Sequence, residues 1–438
     1  MMKTTKNVFQ LFIALFLGMV LSVSCDPIDP DNPLDPDDPN KPGNSTVMTF
    51  IGTAGADPNG DAGQYTQTPC FITWEKGKQP TIELIEGIIL GYGDHPNKSG
   101  QAGKYMLVYS NKESVRFDYH KKGTWTGGTV PFLIDLETLE WTYLPHITGN
   151  KSERLYIAFG DFFVTPDGKK VFYAFSRCFA NSEGGPEDNN AQDGIVVYDV
   201  DSKETAEVNL QGLLDAVEFK PTYKDPYGMD KPYGWYLSIN CITPDSKTLI
   251  GTIRYHLAYA GFGGWQGGST KLFRYDIPTD KFDLIVGDSE GTPSFISILN
   301  DNETLYFCNF GYGFSYNFKY NLKTRKVTSL SKEYGGMTSL AIKNHMRIGN
   351  DGNLQGGTGN NNFYYKDNGN KVEVVEFKNL PYWHQNSLQL NKSRTKVYAL
   401  ITTKEKNYYV ELQSIDAEAP VDTLFTLPSN VGNLMQIW

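Results

Sequence analysis

Local catalytic spacing is what this 438-residue sequence has least of. Its six histidines, His95, His120, His146, His256, His345 and His384, form neither an HxH nor an HExxH pair, so no metal site is readable from neighbouring residues. The glycine clusters at Gly261 to Gly268 and Gly311 to Gly313 follow no strand-to-helix pattern, which argues against a phosphate loop. Cysteine is scarce as well: Cys25, Cys70, Cys178, Cys241 and Cys308 lie far apart and make no CxxC pair. Cys241 and Cys308 fall inside apolar strand runs, where a buried free thiol is expected. A basic excess is missing. The formal net charge is -10, and residues 41–438 alone carry 44 acidic and 38 basic side chains, so nucleic acid is not an expected partner. Helical periodicity is confined to the short stretch from Leu210 to Phe219. With no positive support for catalysis, the chain is expected not to be an enzyme and to need no cofactor; three histidines converging from separate segments stay open as a metal site.

What the chain does have is one hairpin, written several times. Asp161 to Arg177, DFFVTPDGKKVFYAFSR, reads as strand, tight turn, strand, with Pro166-Asp167-Gly168 as the turn. Asn240 to Tyr255 (NCITPDSKTLIGTIRY) repeats it, and Ser297 to Phe310 and Ser387 to Ile401 are looser copies. A second signature of apolar strand, Asp or Asn, charged turn, apolar strand starts at Ile195, Leu272 and Phe318, and in weaker form at Cys70, Phe132, Phe363 and Tyr409. Seven such hairpins at intervals of about 45 to 75 residues predict an all-β fold, a seven-bladed β-propeller over residues 45–438. A pair of β-sandwiches is the alternative, but it gives no reason to repeat one hairpin.

The chain begins differently. Lys3 and Lys6 precede an apolar segment from Val8 to Val23 that ends at Leu21-Ser22-Val23-Ser24-Cys25, too short for a membrane span and built as a secretory signal. It resembles a bacterial lipoprotein signal, residues 1–24, with Cys25 as the acylated mature N-terminus, although its leucine stands four residues before the cysteine instead of three. Plain secretory cleavage is the alternative. Asp26 to Asn40, DPIDPDNPLDPDDPN, cannot bury a core, and residues 25–44 are expected to be an extended, flexible tether. Such an acidic run resembles the signal that sends lipoproteins of anaerobic gut diderm bacteria to the outer cell surface; a solubilising spacer is the plainer reading.

In a propeller, the loops between second and third strands and those carrying the chain onward open on one face. Here those loops are long: Asn111 to Thr129 holds Arg116 and Trp125, Arg254 to Thr270 holds Tyr255, His256 and Trp265, Asn309 to Tyr316 holds Tyr312, and Arg347 to Asn362 is rich in Gly and Asn. Arg177 and Arg254 end the second strands of equivalent hairpins, and Arg347 is a candidate third. With Trp383 and His384 these residues make up an expected mouth in which arginines face a multiply charged anion and aromatics supply flat surfaces. The competing account pairs the arginines with acids between blades and packs the aromatics into blade interfaces.

The signal with its acidic tether, the FxxTPDGKxxxY hairpin at Phe162 to Tyr173 and the long Gly-aromatic loops together resemble the surface lipoproteins of xenosiderophore-utilisation systems in gut anaerobes. The resemblance spans the chain through diffuse motifs. It implies a seven-bladed propeller that holds a ferric catecholate siderophore such as ferric enterobactin, with iron bound only by the ligand, and passes it to a TonB-dependent outer-membrane transporter. A glycan-binding surface lipoprotein, with Trp125, Trp265 and Trp383 stacked on sugars, is the rival, and a propeller lyase or hydrolase the third reading.

Overall fold

The structure is a computed structural model that describes residues 47–437, apart from 56–65, 92–93, 95, 113–114, 116–124, 146–152, 180–191, 260–264, 286–291, 299–301, 312–313, 331–341, 344–345, 351–361, 368–371, 377–388, 391–396, 403–404 and 413–420. The expected signal, Cys25 and the tether therefore lie outside the described residues. Strands dominate. β1 (Val47–Gly55), β2 (Gln67–Glu75) and β3 (Thr81–Leu84) share a sheet with β31 (Val431–Ile437) from the other end of the chain, in the order β3-β2-β1-β31. β4 (Pro96–Ala102), β5 (Tyr105–Ser110), β7 (Val130–Asp135) and β8 (Trp141–Tyr143) form the next sheet, and β6 (Trp125–Gly128) leaves it to pair elsewhere.

Two meanders follow: β9 (Glu153–Val164), β10 (Lys170–Phe179), β11 (Gln192–Asp199) and β12 (Thr205–Glu207), then β15 (Gly234–Ile242), β16 (Thr248–Tyr259), β17 (Trp265–Asp276) and β18 (Lys281–Ile285). With β6 they make one nine-stranded sheet. The connection between them carries helix α1 (Gln211–Ala216) and a separate hairpin of β13 (Thr222–Lys224) and β14 (Asp230–Pro232). Three more four-stranded sheets complete the described chain: β19 (Thr292–Ile298), β20 (Thr304–Gly311), β21 (Phe314–Asn321) and β22 (Val327–Leu330); β23 (Ile342–Lys343), β24 (Met346–Asn350), β25 (Asn362–Asp367) and β26 (Val372–Glu376); β27 (Gln389–Leu390), β28 (Val397–Thr402), β29 (Lys406–Leu412) and β30 (Val421–Pro428).

Both repeated hairpins are explained by their turn residues. Between β9 and β10, Thr165 Oγ1 donates to Asp167 Oδ1 at 2.6 Å, Gly168 N–H donates to the Thr165 carbonyl, and Gly168 takes a left-handed φ of 74°. Thr243, Asp245 and Ser246 (φ 61°) reproduce this turn between β15 and β16. Neighbouring turns are also hooked together: Asp167 N–H donates to Ser246 Oγ at 2.9 Å, and Asp245 N–H to Asn302 Oδ1 at 2.7 Å. In the second hairpin the acid or amide closes the turn. Asp199 Oδ1 accepts from Ser202 N–H at 2.9 Å, Asp276 Oδ1 from Thr279 N–H at 2.9 Å and Asn321 Oδ1 from Thr324 N–H at 2.7 Å. The fifth residue of each turn, Lys203, Asp280 or Arg325, has φ between 54° and 60°.

The core is a series of sheet-to-sheet interfaces. Along β10, Val171, Tyr173 and Phe175 face one neighbour with Tyr109, Phe132 and Phe162, while Phe172 and Ala174 face the other with Leu237, Ile253 and Phe273. Both faces are buried, which is why β10 reads as an unbroken apolar run. Between the first and last sheets, Phe50 meets Tyr409 edge-on at 4.8 Å and Tyr409 stacks on Phe425 at 5.0 Å. Each fully buried aromatic of this kind contributes about 1.5–3 kcal/mol of transfer free energy. Cys70 lies in the same interface as a buried free thiol, its pKa pushed up to about 12 by that burial.

Candidate functional site

The register of the nine-stranded sheet gathers several expected site residues into one transverse row. Trp125 of β6 pairs Leu155 of β9, Leu155 pairs Arg177 of β10, and Arg177 pairs Gln192 of β11. Gln192 pairs Trp235 of β15, and Trp235 pairs Tyr255 of β16. Arg254 stands beside the row, opposite Tyr236 and Thr270. Trp265 pairs Tyr259, further toward the β16–β17 connection. Arg177 and Tyr255 are three strand spacings apart, or about 14 Å. Both arginines thus stand at the same end of adjacent meanders, the end from which α1 and the β13–β14 hairpin also rise.

Side-chain packing shows how the row is held. Gly194 pairs directly with Phe175, and a Cβ at Gly194 would run into the Phe175 ring. The Phe175 ring in turn carries the Arg177 guanidinium, whose Cζ lies 5.3 Å from the ring centroid. Arg177 Nη2 donates to Glu207 Oε2 at 3.2 Å, an ion pair with the glutamate side chain 46 % exposed. Beside it, Asp193 clamps the two meanders. Its Oδ1 accepts from Ser176 Oγ at 2.6 Å, its Oδ2 from Leu237 N–H at 2.8 Å and its carbonyl from Trp235 Nε1 at 2.8 Å. Ser176 and Asp193 are both buried, so these bonds are shielded from water.

Arg254 is exposed, whereas Tyr255 and Trp235 belong to the buried interface of the second meander. His256 has φ 56° and an imidazole among aromatics: Phe219 at 5.4 Å and nearly parallel, Tyr233 at 5.0 Å and Tyr255 at 4.9 Å. Its Nε2 accepts from Lys220 N–H at 2.7 Å. Burial, and then the Lys220 charge, hold the imidazole pKa below its ordinary value.

Arg347 departs from its expected position. It is the second residue of β24, paired with Ile342 next to the short connection to β23, so it stands at the opposite end of a second strand from Arg177 and Arg254. The physical reason is the brevity of β23 and of its turn, which start the second strand at Met346. Arg116, Tyr312, Trp383, His384 and Cys25 lie outside the described residues; Trp125, Trp265 and Arg347 are placed by their strands alone. Asp193, Ser176, Glu207 and Phe219 were not singled out by sequence. Among the described residues, no group of three His, Cys, Asp or Glu side chains is placed to hold a metal ion, and no helix is long and apolar enough to cross a membrane. The expectation of no catalytic spacing, GxSxG included, is also corrected by the sequence itself: Gly287-Asp288-Ser289-Glu290-Gly291 is a GxSxG. It lies between β18 and β19, without the following helix of a nucleophile elbow, and outside the described residues.

No family model matches the chain, and no curated protein matches it. Solved structures do. A prolyl endopeptidase is 14 % identical with a TM-score of 0.46 over 75 % of this chain, which spans 43 % of that enzyme's length. The oligogalacturonate lyase of Vibrio parahaemolyticus is 13 % identical with a TM-score of 0.44, over 87 % of this chain and 86 % of that one. The β-propeller domain of the Trilobed protease from Pyrococcus furiosus, described as having an open velcro topology, is 11 % identical with a TM-score of 0.45, over 85 % of this chain and 95 % of that one. The expectation that the chain is not an enzyme is corrected by this finding, because the similar structures include peptidases and a lyase. That expectation rested on local spacing, and catalytic groups that converge from separate strands leave no local spacing to read. At these identities the likeness concerns the fold, and no activity is carried over from it.

Proposed function

We propose that the described strands form a seven-bladed β-propeller and that its loop-bearing end binds a ferric catecholate siderophore of the enterobactin type. The blade count is supported by seven antiparallel four-stranded groups in chain order, the last strand, β31, joining β1 to β3 so that the first and last described strands share a sheet. The observation that carries the ligand reading is the placement of Arg177 and Arg254 at one end of adjacent groups, Arg177 beside Phe175 in the row that starts at Trp125 and Arg254 exposed on the face of β16 away from the buried Tyr255. A ferric tris-catecholate is a trianion built of aromatic rings. An arginine about 5 Å from it contributes about 3 kcal/mol per unit charge at an effective dielectric of about 20, before desolvation is subtracted. The Glu207 carboxylate competes for Arg177, but a partly exposed ion pair of this kind is worth only about 0–1 kcal/mol and yields to a more highly charged anion.

In this reading Cys25 carries the lipid, residues 25–44 tether the propeller outside the outer membrane, and the loaded protein delivers its ligand to a TonB-dependent transporter. Acyl chains contribute about 0.8 kcal/mol per buried CH₂, so several on one cysteine give a firm anchor. Fluorescence-quenching titration tests the ligand. Ferric enterobactin is expected to bind at micromolar strength or tighter while neutral oligosaccharides do not bind; the reverse result favours the glycan-binding alternative.

A further inference from the structure

The segment that carries the chain from β12 to β15, comprising α1 and the β13–β14 hairpin, is tied to β16 through His256. Phe219 stacks on the imidazole with ring planes 18° apart, and Lys220 N–H donates to Nε2 at 2.7 Å. Accepting that bond requires a lone pair on Nε2, which only the neutral imidazole with its proton on Nδ1 provides. The backbone is arranged for the task. Trp235 pairs Tyr255 and Gly234 pairs Leu257, so His256 is the extra residue of a bulge, with a left-handed φ of 56°. On the other side of β16, Gly268 (φ 85°) occupies the matching place between the Tyr255–Ser269 and Leu257–Gly267 pairs. A bulge with positive φ at a non-glycine residue persists only where its surroundings hold it.

The titratable and charged groups around the ring come from each element packed on it. Lys220 approaches from the segment after α1, Tyr233 from the end of the β13–β14 hairpin with Tyr223 of β13 packed against it at 4.7 Å, and Tyr255 and Arg254 from β16 itself. We propose that His256 is a pH-sensitive latch, which when neutral docks the α1 and β13–β14 segment against β16 and when protonated releases it. The added proton goes to Nε2, so the bond from Lys220 N–H is replaced by two opposed donors and an imidazolium beside the Lys220 ammonium. The docked imidazole has the lower pKa, so docking is fully supported above the ordinary value of about 6.5 and weakens as pH falls through the docked value. The latch is independent of which ligand the loop end takes.

Amide hydrogen exchange on the full chain, read over residues 211–233 and normalised for the chemical exchange rate at each pH, tests it. Protection of this segment is expected to fall between pH 7.5 and 5.5, by no more than about tenfold, with other strands unaffected. His256→Asn, which tolerates positive φ and offers an amide oxygen to the same donor, is expected to stay protected at both pH values. Unchanged protection in the wild type, or the same loss in the asparagine variant, overturns the proposal. Nitrogen chemical shifts of His256 give an independent reading: the Nδ1–H tautomer at pH 7.5 supports the latch, and the Nε2–H tautomer contradicts it.

Discussion

At Gly194 a missing side chain decides where a charge sits. The Phe175 ring lies over the glycine, and the Arg177 guanidinium lies over the ring. Gly194→Ala is expected to cost about 1–3 kcal/mol by overpacking, seen as a lower Tm. Glu207→Gln should act on affinity instead: it removes the carboxylate bound to Arg177 and is expected to tighten ferric enterobactin binding severalfold with Tm little changed. Weaker binding by that variant would mean that Arg177 needs Glu207 to be positioned. The two arginines were legible in the sequence because they hold equivalent places in spelled-out hairpins, although neither ends its strand as expected: β10 runs on to Phe179 and β16 to Tyr259. Asp193 was not, since its partners Ser176, Trp235 and Leu237 come from two other strands. Nor was the bulge at His256, because alternation in GTIRYHLAY gives no sign of an inserted residue.

Hairpins are the elements the sequence displays most openly, because each turn needs particular side chains. Asp199, Asp276 and Asn321 each close a turn whose later residue takes positive φ. Asn321→Ala is expected to cost about 0.5–1.5 kcal/mol through the lost bonds to Lys323 N–H and Thr324 N–H, measured by denaturant unfolding. A loss of similar size is expected for Ser246→Ala, which breaks the only described hook between the turn at Asp167 and the next one. Sequence failed where an element is short. β23 has two residues, so the repeat could not be aligned through it, and Arg347 was assigned to the wrong end of its strand. The row from Trp125 to Tyr255 depends on two parallel pairings, β6 with β9 and β11 with β15, which no local pattern announces.

On the scale of the whole molecule, the proposed closure and the proposed attachment are tested by separate variants. β31 supplies the fourth strand of the sheet that begins the described chain, so deleting residues 431–438 should expose β1 and abolish a single cooperative thermal transition. Cys25→Ala is expected to move the protein from the membrane fraction to the soluble one with affinity for ferric enterobactin unchanged. The central claim is that two arginines, carried to one rim by equivalent hairpins, hold an aromatic polyanion. Titration of ferric enterobactin into the Arg177→Ala, Arg254→Ala double variant tests it most directly: affinity should fall at least tenfold, about 1.4 kcal/mol, at unchanged Tm, and unaltered affinity would contradict it.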